Sequence, residues 1–404
     1  MAKQPEVLIV GAGPAGSALA YFLAQAGRDV LLIDKSDFPR DKTCGDGLTP
    51  RALSVLRHMG LLDRITALGC RIAGIHLFTP DGQRVSSPIP PKDDLPPYVV
   101  VLPRYQLDDV LRAHAVAAGA RFQAQVEAVE LLREGAAVVG VRAKSPAGPV
   151  TLRAKQIVIA TGAAAGLLDK AGMLAADPQY GRAARGYYEG LGEVGNYIEF
   201  HLESVPLPGY GWVFPISATA ANVGAGYFVR KGQAALRNSP RQVLDDFLAN
   251  PLMKDRVAPA RVVGAIKGYP LRFDFPTTRL AYPGLIVIGE AAGMVNPLTG
   301  EGIDYALESA EVAAEVLTAA LKDDSPPAQT EPRYTAAMRA RFQKAFLTIC
   351  QVRDFYFKPW LLNRAGRAAR RHLDFRTTLV NVCLGNVDPG QGISPKMIWQ
   401  IMRG

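Results

Sequence analysis

The chain has 404 residues, 49% of them hydrophobic and 21% charged, which excludes a disordered chain and predicts a globular protein large enough for two packed domains. Its cysteines lie far apart without C-x-x-C or Cys/His spacing, so they indicate neither a disulfide framework nor a zinc site and fit a reducing cytoplasm. The net charge of +9 indicates either an ordinary basic surface or attraction to anionic lipid or a phosphorylated substrate. Nucleic acid is not predicted as a partner, because the Lys and Arg residues are dispersed and no recognised binding motif accompanies them.

The beginning of the chain predicts a strand, a helix and a second strand. "EVLIV" is typical of a buried strand, "GPAGSALAYFLAQAG" of a helix closed by glycine, and "DVLLID" of the next strand. Glycines interrupt the apolar run and charged residues follow it, which argues against a signal peptide. No apolar run in the chain approaches the roughly 20 residues of a spanning helix, so any membrane contact is expected to be peripheral.

The glycines of this β-α-β unit form a dinucleotide-binding pattern. Gly11, Gly13 and Gly16 follow the strand and open the helix, and Asp34 ends the second strand. Glycines at these positions allow a tight turn and the close approach of a pyrophosphate to the helix N-terminus, where Ala15 also lies. Asp34 can accept a hydrogen bond from a ribose hydroxyl, so the sequence predicts a dinucleotide site here.

A second match to the glycine pattern, "GLGEVG" at 190–195, serves as a control. The following "NYIEFHLES" alternates apolar and polar residues, which is the period of a strand and not of a helix. We therefore interpret this match as a hairpin-type turn and expect one dinucleotide site and no separate nicotinamide domain.

A late segment carries the family resemblance. "PGLIVIGEAAGMVNPLTGEGIDYALESAEVAAEVL" predicts a strand, the pair Gly289-Glu290, a loop and a long helix after Gly302. Paired with the N-terminal glycines, it resembles the FAD-dependent family that includes aromatic hydroxylases, flavin halogenases and geranylgeranyl reductases. The resemblance implies FAD as the cofactor, with Gly289 and Glu290, in place of the usual Asp, near its ribose or ribityl region. Gly302 and Ile303 would then direct helix amides at the flavin pyrimidine edge; alternatively, Glu301 simply favours a helix N-terminus in an ordinary turn.

Two further segments match the same family. "LPRYQLDDVLRAHA" resembles its R-x-x-L-D-x-x-L helix, whose arginine, Arg104 here, would lie near the flavin. "VEAVELL" and "IVIATGA" resemble the strands beside the adenine, with Val126 in the position of a backbone contact.

The segment "YGWVFPISATAANVGAG" indicates the subgroup. It contains Y-x-W-x-F-P, eight residues, and then G-x-G, which resembles the geranylgeranyl reductases and differs from the W-x-W-x-I-P expected of the halogenases. Tyr210 and Trp212 would lie on one face of a strand and form part of an apolar cavity wall. The alternative is that both are core aromatics of a sheet.

The loop "CGDGLTPRA" resembles the cysteine loop of the same reductases, especially those that saturate bacterial prenyl chains such as the menaquinone tail. The resemblance places Cys44, Gly45 and Gly47 against the flavin, with Cys44 as a proton donor or as a shape element of the pocket. The alternative is a turn with an incidental thiol, in which Asp46 satisfies local amides.

The C-terminal segment from Tyr334 onward has a helical pattern rich in aromatic and cationic residues. It is expected either to cap the substrate tunnel and lie on an anionic bilayer or to form an ordinary helical subdomain. "KDDSPPAQTEP", Lys322 to Pro332, predicts an exposed loop between helices. None of the five histidines lies in a flavin motif, so none is predicted to be an acid catalyst.

Together these patterns predict an α/β protein with a split Rossmann-type FAD-binding domain (1–70, 101–175 and 281–325), an antiparallel-sheet catalytic domain (71–100 and 176–280) and a helical C-terminal region (326–404). The resemblance implies reduction of isolated C=C bonds in the prenyl chain of a lipid, quinone or prenyl diphosphate. The electron donor would be external, NAD(P)H or a ferredoxin-like protein, and the expected location is the cytoplasm, with peripheral membrane contact. The alternatives are an aromatic monooxygenase and a non-catalytic flavin- or lipid-binding protein.

Overall fold

The computed structural model describes residues 4–174, 180–192, 194–229, 238–323 and 326–403. The strands are β1 (Val7–Val10), β2 (Val30–Ile33), β3 (Gly47–Leu48), β4 (Cys70–Ile72), β5 (Gly74–Phe78), β6 (Arg84–Pro88), β7 (Val99–Val101), β8 (Arg121–Gln123), β9 (Glu127–Glu134), β10 (Ala137–Ser145), β11 (Gly148–Arg153), β12 (Gln156–Ile159), β13 (Tyr180–Glu189), β14 (Tyr197–His201), β15 (Gly209–Pro215), β16 (Ala220–Phe228), β17 (Arg261–Arg272), β18 (Ala281–Tyr282) and β19 (Leu285–Val287). The α-helices are α1 (Pro14–Gln25), α2 (Pro50–His58), α3 (Leu62–Leu68), α4 (Arg104–Ala117), α5 (Gly166–Lys170), α6 (Pro240–Leu248), α7 (Pro251–Val257), α8 (Ile303–Lys322), α9 (Pro327–Gln351), α10 (Pro359–Arg371), α11 (Leu373–Cys383) and α12 (Pro395–Arg403).

A six-stranded sheet in the order β18-β19-β12-β1-β2-β8 forms the first layer. Its strands are parallel except β18, and every residue of β1, β2, β12 and β19 is buried. Continuous apolar strands are expected where helices cover both faces of a parallel sheet. The β-α-β unit predicted at the start of the chain is confirmed, because α1 connects the parallel neighbours β1 and β2.

The second layer is a seven-stranded sheet in the order β17-β13-β16-β15-β14-β5-β6. All neighbours are antiparallel except β14 and β5, which are parallel. On β15 the residues alternate between two faces, so Gly211 lies under the ring of Phe247 in α6 while Tyr210 and Trp212 line a cavity on the other side. The predicted pair of aromatics on one strand face is confirmed.

The prediction of a hairpin-type turn at 190–195 is wrong. No helix follows this segment, as expected, but β13 and β14 are not neighbours, because β16 and β15 lie between them in the sheet. Glu193 lies outside the described residues. The alternation of "NYIEFHLES" defines a strand but not its partner, since pairing depends on contacts with distant segments.

The helical C-terminal region packs directly on the parallel sheet. Tyr334 of α9 is buried and its hydroxyl donates to the carbonyl of Val287 over 2.9 Å. The predicted exposed loop from Lys322 to Pro332 is too long, because α9 already begins at Pro327; proline presets the backbone angle of a first helical turn. Residues 324–325 lie outside the description. No described helix has both the length and the apolar character needed to span a membrane.

Candidate active site

A cavity of about 820 Å³ lies between the two sheets. Its lining includes the carboxyl ends of β1, β2, β12 and β19, which is the edge at which open α/β sheets bind ligands. Thirteen of the sixteen predicted site residues line it: Gly11, Gly13, Ala15, Asp34, Cys44, Gly45, Gly47, Arg104, Tyr210, Trp212, Glu290, Gly302 and Ile303. Three do not, namely Gly16, Val126 and Gly289.

Gly16, Val126 and Gly289 lie behind the residues that line the cavity. A side chain at Gly16 would overlap the carbonyl of Gly11, so this glycine lets α1 pack on the turn. Gly289 adopts a φ of 60°, and a Cβ there would lie 3.0 Å from that of Ala15. The amide of Val126 donates to the carbonyl of Asp34 over 2.8 Å, so the adjoining cavity wall consists instead of Glu127, Ala128 and Val129.

The glycine turn leaves the N-terminus of α1 open to a ligand. Gly13 is the N-cap and provides no capping side chain, and no acidic residue lies in the first turn. A Cβ on Gly13 would meet only the guanidinium groups of Arg40 and Arg104, at 3.7 and 3.9 Å. Free amides, a helix N-terminus and two cations suit a pyrophosphate, so the residues present fit the diphosphate of FAD.

Asp34 and Asp108 fix the positions of these cations. Asp34 accepts from the amide of Ala12 over 2.8 Å and lies 3.7 Å from Arg40. Asp108 is buried and accepts from Arg104 over 2.6 and 2.8 Å and from Arg40 over 2.9 Å. Burial alone would lower the pKa of Arg104, but the Asp108 carboxylate outweighs this effect and raises it, so the arginine stays charged.

Glu290 lies opposite, in the turn after β19. Its carboxylate accepts from Lys42 over 2.8 Å and faces the amide of Arg272 at 3.4 Å. The predicted helix after Gly302 is confirmed: α8 begins at Ile303 with Gly302 as its N-cap, and no side chain caps it. Both residues line the cavity, so the positive end of a 20-residue helix lies at its wall.

The Cys44 loop is held by buried polar side chains from the seven-stranded sheet. Asn222 of β16 donates to the carbonyl of Cys44 over 2.6 Å and to Asp46 over 2.8 Å. Tyr187 of β13 donates to the same carboxylate oxygen of Asp46 over 2.7 Å. Trp212 donates from Nε1 to Asn222 Oδ1 over 3.0 Å. The loop position is therefore set by three strands that are distant in sequence.

Burial raises the pKa of the Cys44 thiol, so it stays protonated at neutral pH. Gly45 is needed beside it, because a Cβ there would lie 3.0 Å from the ring of Phe214. Within the protein, the backbone of Gly45 thus packs against the ring of Phe214.

Four aromatic rings form one wall of the cavity: Phe200, Tyr210, Trp212 and Phe214. Their neighbouring centroids lie 5.3 to 6.3 Å apart in tilted or edge-on arrangements. Gly224 explains the G-x-G part of the motif, because any side chain there would overlap the indole of Trp212. The hydroxyl of Tyr210 donates to the carbonyl of Thr299, which connects this wall to the loop before α8.

Sequence reasoning did not find Asn222 and Tyr187, and it treated Asp46 only as a local turn residue. In the sheet, Asn222 is directly opposite Tyr187 on one side and Phe214 on the other. The only signal for Asn222 in the sequence was its position between the Y-x-W-x-F-P and G-x-G parts of the motif. His201 is buried between Glu199 and Glu203 and does not line the cavity.

Comparisons with known proteins agree with this geometry. A family model described as an FAD binding domain matches residues 4–177. A menaquinone reductase of Mycolicibacterium smegmatis is 33% identical over 407 residues, covering 96% of this chain and 93% of that protein. A digeranylgeranylglycerophospholipid reductase of Methanopyrus kandleri is 30% identical, covering 84% of this chain and 88% of that protein.

The fold is also found in a solved structure. A geranylgeranyl bacteriochlorophyll reductase-like protein of Thermoplasma acidophilum superposes with a TM-score of 0.78 at 24% identity, covering 99% of this chain and 96% of that one. With the two relatives and the FAD binding domain, these findings show that the chain belongs to the geranylgeranyl reductase family of FAD-dependent oxidoreductases.

Proposed function

We propose that this protein reduces isolated C=C bonds in a prenyl chain carried by a lipid, a quinone or a diphosphate. The observation that carries the proposal is the continuity of one cavity, which extends from the glycine turn to the aromatic wall and the Cys44 loop. A cofactor held by its diphosphate at the turn would therefore reach an apolar compartment with a protonated thiol beside it. The names of the two curated relatives point to the same class of substrate.

An isolated alkene has no carbonyl to delocalise charge, so its two carbons must receive a hydride and a proton nearly together. Reduced FAD supplies a hydride from N5 when it is bound. The side chains of this protein position the substrate and supply the proton. Phe200, Tyr210, Trp212 and Phe214 orient the hydrocarbon and exclude water, and Cys44 supplies the proton from Sγ.

The test is anaerobic single turnover. The purified holoprotein is photoreduced without air and mixed with geranylgeranyl diphosphate or with a prenylated quinone in detergent. Reoxidation of the flavin together with a product two mass units heavier supports the proposal. A hydroxylated product that forms only with oxygen would support a monooxygenase instead, and absence of any turnover with prenyl substrates would reject the proposal.

We also propose that the C-terminal helices lie on an anionic membrane surface, where prenyl lipids reside. Between residues 352 and 403 nine side chains are Lys or Arg and three are Asp or Glu, so this segment carries most of the excess charge. Trp360 and Trp399 are 55% and 52% exposed, and Arg403 lies 4.1 Å over the Trp399 ring. Exposed indoles beside cations suit the headgroup region of a bilayer.

A further inference from the structure

Lys42 is a cation of the cavity lining that sequence reasoning did not find. Its side chain is 25% exposed and belongs to the loop that leads to Cys44. Its ammonium group donates to Glu290 Oε2 over 2.8 Å and contacts no other acceptor among the described residues. A lysine ammonium group has three N–H donors, so the remaining donors of Lys42 are open to a ligand in the cavity.

The Lys42–Glu290 ion pair connects the two sides of the cavity. Arg185 of β13 is buried and donates to the Lys42 carbonyl over 3.1 Å and to Asp41 over 2.6 Å. The backbone at Lys42 is thus fixed to the seven-stranded sheet, whereas Glu290 follows β19 of the six-stranded sheet. A Cβ on Gly162 would lie 3.3 Å from the Lys42 ammonium group, so the pair lies against the turn after β12. The ammonium group is therefore held in place from several sides.

The pair lies between the N-terminus of α1 and the Cys44 loop. Lys42 comes just before Cys44 in the chain, and Gly289, next to Glu290, packs on Ala15 of α1. An FAD molecule with its diphosphate at α1 and its flavin at the Cys44 loop has to extend past both side chains. The connecting part of FAD has phosphate and hydroxyl oxygens, which accept hydrogen bonds from an ammonium group.

We propose that Lys42 is a further FAD-binding residue and that Glu290 positions its ammonium group. The charge of Lys42 attracts the diphosphate and also offsets the negative charge of Glu290, which would otherwise repel it. Lysine is a flexible side chain, and fixing it before FAD binds lowers the entropy lost on binding.

The test is the rate at which the holoprotein releases FAD after dilution, followed by the increase in flavin fluorescence. Lys42→Met keeps the length of the side chain and removes its charge. It should release FAD roughly tenfold to 10²-fold faster, because hydrogen bonds from a charged donor are lost. Lys42→Arg keeps the charge and should restore part of the retention. The measurement needs no substrate, so failure of the proposed function leaves its result unchanged.

A double-mutant cycle tests the role of Glu290. Glu290→Gln keeps the shape of the side chain and should release FAD about tenfold faster, because Lys42 loses the carboxylate that fixes it. If Glu290 acts through Lys42, the double variant should release FAD no faster than Lys42→Met alone. A double variant whose effect equals the product of the two single effects would overturn positioning by Glu290.

Lys267→Ala is the matched control. Lys267 also lines the cavity, but its ammonium group pairs with Asp41 over 2.9 Å and not with Glu290. This variant should release FAD within about twofold of the wild-type rate, since partly exposed ion pairs contribute little. Melting curves should show that every variant is folded. A wild-type release rate in Lys42→Met, or an equal acceleration in Lys267→Ala, would overturn the proposal.

Discussion

The two ends of the cavity are built in different ways. At the end where we expect the diphosphate of FAD (the diphosphate end), the groups open to a ligand are backbone amides and glycines within residues 11–16, with Arg40 and Arg104 close by. At the aromatic end, the Cys44 loop is held by side chains of Tyr187, Trp212 and Asn222, more than 140 residues away in sequence. The glycine turn of the first end depends on local chain geometry and the Cys44 loop of the second end on sheet register, so substitutions at the two should fail in different ways.

Gly13→Val should have the largest effect. Its φ is ordinary, and a Cβ there would meet nothing closer than 3.7 Å in the protein, so the fold should persist while the side chain blocks the diphosphate. We expect nearly complete loss of FAD, measured by flavin absorbance of the purified protein and by circular dichroism for the fold.

The control for this change is Gly195→Val, in the second match to the glycine pattern. A Cβ at Gly195 meets no atom within 4 Å, so this variant should keep its FAD. Full FAD occupancy in Gly13→Val would show that the turn does not bind the diphosphate.

Cys44→Ser should have the next largest effect. If the thiol donates the proton, the variant should keep and reduce FAD but lose about 10²-fold in the rate of alkene reduction, because a hydroxyl is a far weaker acid. If Cys44 only shapes the pocket, Cys44→Ser should be nearly silent and Cys44→Phe damaging. Stopped-flow oxidation of prereduced enzyme distinguishes the two roles, with Cys70→Ser, outside the cavity lining, as the control.

Trp212→Ala should act at the aromatic end only. The change removes part of the wall and the donor to Asn222, so we expect a rate loss of roughly tenfold to 10²-fold and a free energy of unfolding lower by about 3 kcal/mol. FAD content should change little. Equal losses of FAD and of rate would make Trp212 a general core residue. The control is Trp360→Ala, which removes an exposed indole.

Trp399→Ala should have the smallest effect and should leave the cavity unchanged. Binding to vesicles that contain anionic lipid should weaken about tenfold, measured by sedimentation, while the rate on a detergent-dissolved substrate stays the same. Tyr105→Ala, an exposed aromatic on α4, is the control. Unchanged vesicle binding in Trp399→Ala would contradict the proposed membrane surface.

Strong local patterns allowed correct predictions of the strands, turns and helices at the diphosphate end. Gly11 and Gly13 follow a strand and precede a helix, and the late strand, the Gly289-Glu290 pair and the helix beginning at Ile303 are where the sequence placed them. The supporting contacts of Gly16 and Gly289 were not predictable, because they depend on how α1 packs against its neighbours.

The sequence by itself determined the alternation that places Tyr210 and Trp212 on one face, since side-chain direction along a strand has a period of two. It could not determine which strand pairs with β14, and the hairpin prediction at 190–195 failed for that reason. Only the tertiary structure brought Asn222 and Tyr187 to Asp46, because register across β13 and β16 joins residues that no local pattern connects. A buried acid acquires its proton affinity from burial and from its hydrogen-bond partners, and both exist only after the chain has folded.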